Sequence, residues 1–357
     1  MSDEPRATMA NESNSLGLVE VKSFSTSDFR LQSGEIIPEL KLAYESYGAL
    51  APNGRNAILV THGYTSSQHA AGIDANGELG WWDGLVGPGK AIDTNKYFVV
   101  SSNMLGSSYG STAPASINPK TGAPYGPDFP DYTLVDIVTA QRAMLDALGV
   151  RHLVAVAGLS FGGYQAFPWG VTFPDAMSGI VPVVTAPNAT DGNRMVADLR
   201  ARFAEAPGWN GGHHYGNTTM LAFMTELRVA TLKRYGIEAE LAPRYPDPAT
   251  REAVIQQLAE PWAKVFDPNS LIVLAQARSH YNAEKDFARI RAKVLYVLSR
   301  TDKLFPPSIA PEVMAKLKAA GVDATYFEID SDKGHLASGA DWHKWARVLS
   351  AFLQRLE

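Results

Sequence analysis

The chain contains no cysteine among its 357 residues. This absence excludes disulfide frameworks, thiolate nucleophiles, cysteine-based zinc sites and iron–sulfur clusters. No apolar run approaches the ~20 residues that a membrane-spanning helix needs. Residues 1–17 also lack the basic and apolar regions of a secretory signal. We therefore expect a cytoplasmic protein that has no membrane partner.

Positive charge is not in excess either. The 32 Lys and Arg residues are outnumbered by 37 Asp and Glu residues, which gives a formal net charge of −5. The chain therefore lacks the positive electrostatic field that would concentrate it on nucleic acid, and nucleic acid is not an expected partner. No HExxH pattern occurs, and the side chains of the adjacent His213 and His214 diverge. We therefore expect no metal site.

Runs rich in branched and aromatic residues recur along the chain. Several are continuously apolar, which is typical of strands buried on both faces of a parallel sheet, and the first two alternate as in an antiparallel pair. Between two of these runs, apolar residues within 133–148 recur at the spacing of a helix. We predict strands at Val19–Phe24, Leu40–Tyr47, Ala57–Thr61, Tyr97–Ser101, Leu153–Ala157, Ile180–Val184, Val294–Leu298 and Ala324–Ile329.

The segment between Val184 and Val294 has no comparable run and instead shows helical stretches near 194–205, 218–235, 248–265 and 268–278. This order predicts an α/β fold with a mostly parallel eight-stranded sheet and a helical lid insertion at 187–286. The sheet and its helices would occupy 17–186 and 287–357. Residues 1–16 are polar and predict a disordered tail.

The candidate nucleophile is Ser160. It lies in Gly158-Leu159-Ser160-Phe161-Gly162, directly after the strand and before a helical pattern. This is the G-x-S-x-G motif in the strand–turn–helix context that gives the motif its meaning. The turn strains the serine backbone and lifts its Oγ above the sheet, and the glycines avoid collisions. An incidental serine in a glycine-rich turn is the alternative, which the flanking elements disfavour.

A serine nucleophile needs a base and a carboxylate that orients the base, in the order Ser, Asp, His for this architecture. Asp302 follows the strand near 294–298, and His335 follows the last strand. We predict a Ser160, His335, Asp302 triad, with Asp330 and Asp332 as alternatives for the acid.

The oxyanion hole needs two backbone donors. The N–H of Phe161 follows the nucleophile, and we predict that the N–H of Tyr64, in the loop after strand 57–61, is the second. His62 in the same loop is expected to be a buried structural histidine.

Longer motifs carry a family resemblance. They are the runs 80–94, 102–106, 110–112, 116–119, 128–130, the Ser160 turn, 304–307 and 330–335. Through these motifs the sequence resembles the homoserine O-acetyltransferase family of α/β hydrolases, including its esterase branch, over about residues 36–336. The resemblance implies an α/β-hydrolase fold and a ping-pong transfer in which Ser160 takes acetyl from acetyl-CoA. It also implies a homodimer joined through lid helices.

Two positions bear on the acceptor. The resemblance places Arg200, or Arg202 nearby, where the family holds the homoserine carboxylate. Members that use homoserine carry Asp after the catalytic His to meet the amine, and here that position is Leu336. Burying an ammonium beside leucine without a carboxylate would cost several kcal/mol.

We therefore expect a serine carboxylic ester hydrolase that acts on small acyl, chiefly acetyl, esters without a cofactor. The alternative is a CoA-dependent O-acetyltransferase that acetylates homoserine or another alcohol. In either case the partner is a small-molecule ester or acyl-CoA. A non-catalytic scaffold is a third class, which the complete triad disfavours.

Overall fold

The computed structural model describes residues 15–216 and 218–356. Residues 1–14, which make up most of the predicted tail, lie outside the described residues. Leu16 at the end of that predicted tail packs against the apolar core. Val19 donates a backbone hydrogen bond to Ile73, so the described chain joins the fold within a few residues of its start.

The central sheet has eight strands in the order β1–β2–β4–β3–β5–β6–β7–β8. The pairs β1–β2 and β2–β4 are antiparallel, and the other neighbours are parallel. The predicted mostly parallel eight-stranded sheet is confirmed. The strands are β1 (Lys22–Arg30), β2 (Ile36–Tyr47), β3 (Ala57–Thr61), β4 (Phe98–Ser102), β5 (Leu153–Leu159), β6 (Met177–Val183), β7 (Lys293–Ser299) and β8 (Ala324–Ile329).

Agreement with the predicted strand bounds is exact for β3 and for the edge strand β8, and it is poorest for β1 at the other edge. All residues of β3 are buried, so its apolar run coincides with the strand. Edge strand β1 is mostly exposed and begins at Lys22 rather than at Val19. Antiparallel pairing with β2 sets its position, which a weak apolar pattern does not reveal.

The helices are α1 (Leu134–Ala147), α2 (Phe161–Thr172), α3 (Arg194–Ala204), α4 (Met220–Tyr235), α5 (Ile237–Leu241), α6 (Pro248–Val265), α7 (Pro268–Arg278), α8 (Ala310–Ala319), α9 (Ala337–Ala340) and α10 (Ala346–Gln354). Helices α3–α7 lie between β6 and β7, and we call residues 194–278 the helical insertion. Four of its helices match predicted stretches, whereas the short α5 was not predicted. Throughout the described chain, helices fall short of the length and apolar character needed to cross a bilayer.

Apolar side chains pack on both faces of the sheet. The parallel strands β3, β5, β7 and β8 all end at one edge of the sheet. The loops that follow them carry Tyr64, Ser160, Asp302 and His335. Ligands of open α/β sheets bind at this carboxyl edge, so the topology brings the predicted residues to the expected place.

Candidate active site

Ser160 occupies a sharp turn between β5 and α2, with φ of 54° and ψ of −115°. L-residues rarely adopt a positive φ, and such strain clusters at functional sites where the surrounding structure enforces it. The Ser160 N–H donates to the Val183 carbonyl at 2.8 Å, and the Ser160 carbonyl accepts from the Tyr164 N–H at 3.1 Å. Both neighbouring elements therefore hold the strained residue in place.

The glycines of the motif are required by close packing against the end of β3. A Cβ on Gly158 would overlap the Thr61 hydroxyl, and a Cβ on Gly162 would overlap the Thr61 carbonyl oxygen. The Thr61 hydroxyl donates to the Gly162 carbonyl at 2.9 Å. The turn can therefore form against β3 only with glycine on both sides of the serine.

The structure brings Ser160, His335 and Asp302 into one hydrogen-bonded chain. The Ser160 Oγ lies 2.8 Å from His335 Nε2, and His335 Nδ1 lies 2.8 Å from Asp302 Oδ2. All three side chains are buried, with Asp302 2% exposed and Ser160 9% exposed. With Nδ1 donating to the carboxylate, Nε2 is free to accept the serine proton.

Asp302 is itself fixed by the turn that follows it. Its Oδ1 accepts hydrogen bonds from the N–H groups of Leu304 at 2.8 Å and Phe305 at 3.3 Å. The alternative acids lie elsewhere. Asp330 forms an exposed ion pair with Arg300, and Asp332 is exposed. Of the three candidate acids, Asp302 is therefore the one whose carboxylate contacts His335.

The two predicted oxyanion donors lie beside the nucleophile. Phe161 is the first residue of α2, so its N–H has no acceptor within the helix. The loop containing Tyr64 approaches the serine closely, since a Cβ on Gly63 would lie 3.7 Å from Ser160 Cβ. The rings of Tyr64 and Phe161 stack at 5.7 Å, which holds the two segments together.

His62 is completely buried below this loop. Its ring nitrogens lie 2.8 Å from the Gly63 carbonyl oxygen and 2.9 Å from Asn103 Oδ1. Burial lowers the pKa of His62 to about 4. The imidazole is therefore neutral near pH 7, and its position agrees with a structural role in holding the Gly63 loop.

A cavity of about 370 Å³ opens above Ser160. The sheet side contributes Ser160, His335, Trp81 and Trp82, whereas α4 and α5 of the helical insertion form the opposite wall. The lining residues are Gly63, Tyr64, Thr65, Ser66, Trp81, Trp82, Leu159, Ser160, Arg228, Leu232, Tyr235, Glu240, His335, Leu336, Ser338, Gly339 and Ala340.

The predicted substrate contact at Arg200 is not found in this cavity. Arg200 is exposed on α3, and its Nη2 lies 3.4 Å from the Gln276 side-chain oxygen of α7. Arg202 is also exposed and lies over the Phe223 ring. Because α3 packs on α7 rather than on the wall beside Ser160, neither arginine reaches the cavity.

The arginine that does line the cavity is Arg228 of α4. Its Nη1 donates to the Thr65 hydroxyl at 2.8 Å, and its guanidinium lies 4.9 Å from the centre of the Trp262 ring. Among the described residues, no carboxylate lies within ion-pair distance of it and its Nε is buried without a partner. Burial lowers the pKa of Arg228 below its usual range, although a guanidinium stays charged near neutral pH.

Leu336 lies in the wall of the cavity, as predicted from its place after His335. Its side chain also packs against an apolar cluster of the insertion that includes Leu232 and Ile237. The cavity nevertheless contains a carboxylate, because α5 brings Glu240 to the same wall.

Sequence reasoning missed Arg228 and Glu240. The available signal for Arg228 was its position on the apolar face of α4, four residues after Met224 and four before Leu232, both buried. A charge at such a position is unusual and indicates a partner or a site. Glu240 had no comparable signal, because α5 is only five residues long.

Metal ligands do not cluster in the described ranges 15–216 and 218–356, where no group of three or more His, Asp or Glu residues could hold an ion. The groups that the structure brings together at this site are a hydrogen-bonded serine, an imidazole held by a carboxylate and a half-buried guanidinium.

Comparison with known proteins identifies the family. Residues 56–339 match the family described as having the α/β hydrolase fold. The homoserine O-acetyltransferase of Moorella thermoacetica is 37% identical over 368 aligned positions, which cover 96% of this chain and 98% of that protein. The chain belongs to the homoserine O-acetyltransferase-like family of α/β hydrolases. It is an enzyme of that superfamily.

Solved structures agree with this assignment. The homoserine O-acetyltransferase of Bacillus anthracis superimposes with a TM-score of 0.85 at 29% identity, covering 95% of this chain and 99% of that chain. Esterase E22 superimposes with a TM-score of 0.84 at 28% identity, covering 94% of this chain and 100% of that chain.

These relationships correct the expected activity. The prediction of an ester hydrolase rested on Leu336, but relatives at 34–38% identity over at least 92% of the chain are named homoserine O-acetyltransferases. The findings support the acetyltransferase alternative. The physical reason for the error lies in the insertion, since the sequence argument assumed a cavity without a carboxylate and α5 supplies Glu240.

Proposed function

We propose that the protein is a CoA-dependent O-acetyltransferase that acetylates the hydroxyl group of a carboxylate-bearing alcohol, with homoserine as the leading candidate. The observation that carries the proposal is that Ser160 lines one cavity with the guanidinium of Arg228, which forms no ion pair with a carboxylate of the described residues. Water as an acceptor needs no anion-binding group, whereas an alcohol that carries a carboxylate does. A guanidinium binds a carboxylate through two parallel hydrogen bonds.

In the first half-reaction the Ser160 Oγ attacks the thioester carbonyl of acetyl-CoA. His335 Nε2 accepts the serine proton, and Asp302 stabilises the imidazolium that forms. The amides of Tyr64 and Phe161 donate to the oxyanion of the tetrahedral intermediate. The C–S bond then breaks, His335 returns its proton to the CoA sulfur, and Ser160 is left acetylated.

In the second half-reaction the acceptor hydroxyl gives its proton to His335 and attacks the acetyl carbonyl. The same amides stabilise the second oxyanion. The bond to Ser160 breaks, His335 returns the proton to the serine Oγ, and the O-acetyl product leaves. Arg228 would hold the acceptor carboxylate throughout, which positions the hydroxyl and favours it over water.

The test is a product assay on the purified protein with acetyl-CoA, with and without L-homoserine. Because the chain contains no cysteine, a thiol reagent reports only the CoA that is released. We expect homoserine to accelerate CoA release and each CoA to be matched by one O-acetylhomoserine in the mass spectrum. CoA release that is independent of any alcohol, with acetate as the product, would refute the proposal.

A further inference from the structure

The helical insertion places one cation and one anion in the cavity of Ser160. Arg228 comes from α4 and Glu240 from α5, and both line the same space as the nucleophile. Leu336, next to the base, offers only an apolar surface there. The charge that the sequence lacks after His335 is therefore present in the cavity, but on a different element of the fold.

The surroundings of Glu240 leave it able to bind a ligand. Its Oε2 lies 3.1 Å from the Nζ of Lys333, and its side chain is 35% exposed. Lys333 is also held by the Ala239 carbonyl at 3.4 Å. A carboxylate has about four acceptor positions on its two oxygens, so Lys333 does not exhaust the capacity of Glu240.

We propose that Glu240 is the specificity-determining residue that binds the ammonium group of an α-amino acid acceptor. The inference rests on the proposed function and names its substrate class. An α-amino acid carries a carboxylate that would bind Arg228 and an ammonium that would bind Glu240, so its two charges complement the two charges of the cavity lining. An alcohol without the amine would leave Glu240 with Lys333 alone, and sites built for a polar group discriminate strongly against an analogue that lacks it.

A purely structural role for Glu240 makes a different prediction. The pair Glu240–Lys333 joins the insertion to the loop that presents His335, and it would act as a tie between the two. Loss of such a structural contact would weaken the binding of every substrate equally, and replacement of either Glu240 or Lys333 would have the same effect. Loss of an ammonium site weakens only substrates that carry the amine.

The experiment compares L-homoserine with 4-hydroxybutanoate, which keeps the carboxylate and the hydroxyl but lacks the amine. We expect Glu240→Gln to raise the KM for homoserine about 10- to 100-fold, as for loss of a hydrogen bond to a charged group. The KM for 4-hydroxybutanoate should change little. Glu238→Gln, on the exposed part of the same helix, is the matched control and should leave both values unchanged.

Lys333→Gln separates the two roles of the pair. We expect this variant to keep the preference for homoserine over 4-hydroxybutanoate, because Glu240 remains. If Glu240→Gln weakened both acceptors equally, or if Lys333→Gln reproduced its effect, Glu240 would be a structural tie and the inference would be overturned.

Calorimetric binding to the Ser160→Ala protein makes the outcome independent of turnover. If homoserine binds more tightly than 4-hydroxybutanoate and Glu240→Gln removes the difference, the inference holds even when no acetyl transfer is seen, and only the proposed function fails. If Glu240→Gln does not change homoserine binding, the inference fails even when O-acetylhomoserine is formed.

Discussion

The ring of Tyr235 packs against the imidazole of His335 with 5.0 Å between their centres. Tyr235 is the last residue of α4. The turn after α4 lies so close to the loop that carries His335 that a Cβ on Gly236 would lie 2.8 Å from the Lys333 carbonyl oxygen. The helix that carries Arg228 therefore rests directly on the loop that presents the base.

Replacement of Ser160 by alanine should reduce kcat by roughly 10³-fold or more, because triad members act as a unit. The side chain takes part in chemistry rather than in core packing, so circular dichroism and thermal unfolding should show an intact fold. Activity within about tenfold of the wild type would remove Ser160 from the mechanism.

The acid of the triad can be tested by two matched substitutions. Asp302→Asn should lower kcat by about 10⁴-fold, because the amide favours the wrong tautomer of His335. Asp330→Asn removes a carboxylate from an exposed ion pair with Arg300 and should have little effect. A larger loss from Asp330→Asn than from Asp302→Asn would contradict the assignment made from the geometry.

Arg228→Gln should raise the KM for homoserine about 10- to 100-fold, since a charged hydrogen bond to the acceptor carboxylate is lost. Acetylation of Ser160 by acetyl-CoA, followed as a rapid burst of CoA, should be less affected. Arg200→Gln is the control, because Arg200 is exposed and outside the cavity. Equal effects of the two substitutions would argue against a carboxylate contact at Arg228.

A buried charge cluster beside the cavity loop predicts a pH-dependent stability. Burial alone would lower the pKa of His69, but its hydrogen bond and charge interaction with Glu45 raise that pKa above its usual value. His69 Nδ1 lies 3.1 Å from Glu45, which is buried and also accepts from the Tyr47 hydroxyl. The protonated imidazole therefore stabilises the folded state.

The sign of the effect follows from the raised pKa. The stabilisation is fully present below the unfolded pKa of about 6.5 and is lost as pH rises through the higher folded value. The difference in melting temperature between the wild type and His69→Asn should shrink as pH rises from about 5.5 to 8.5. A difference that grows with pH would show that the neutral imidazole is the stabilising form.

The sequence predicted the part of the site that depends on local backbone chemistry. The turn at Ser160 needs glycines on both sides, and Asp302 and His335 follow strand ends, so motif and topology locate all three. The cavity wall that α4 and α5 form opposite Ser160 was not predictable in the same way. Arg228 and Arg200 both lie on helices of the insertion, and only the packing of α4 against the His335 loop decides which one reaches the cavity.

The expectation from Leu336 was wrong for a related reason. A missing charge at one position says nothing about charges delivered by a distant segment. Glu240 lies 95 residues before His335 in the chain (335 − 240) and reaches the cavity through a five-residue helix without a clear pattern. Long-range packing of this kind cannot be read from spacing.

The positive φ of Ser160 also bears on how the protein should respond to heat. A strained backbone conformation costs on the order of 1–3 kcal/mol and persists only while its surroundings enforce it. Here the enforcement comes from a few contacts, chiefly the packing of Gly158 and Gly162 against Thr61 and the hydrogen bond to Val183. Loosening at the end of β3 would let the turn relax and carry the Oγ away from His335 while the sheet remained intact. On heating, activity is therefore expected to be lost before the protein unfolds, because the Ser160 Oγ moves away from His335 first.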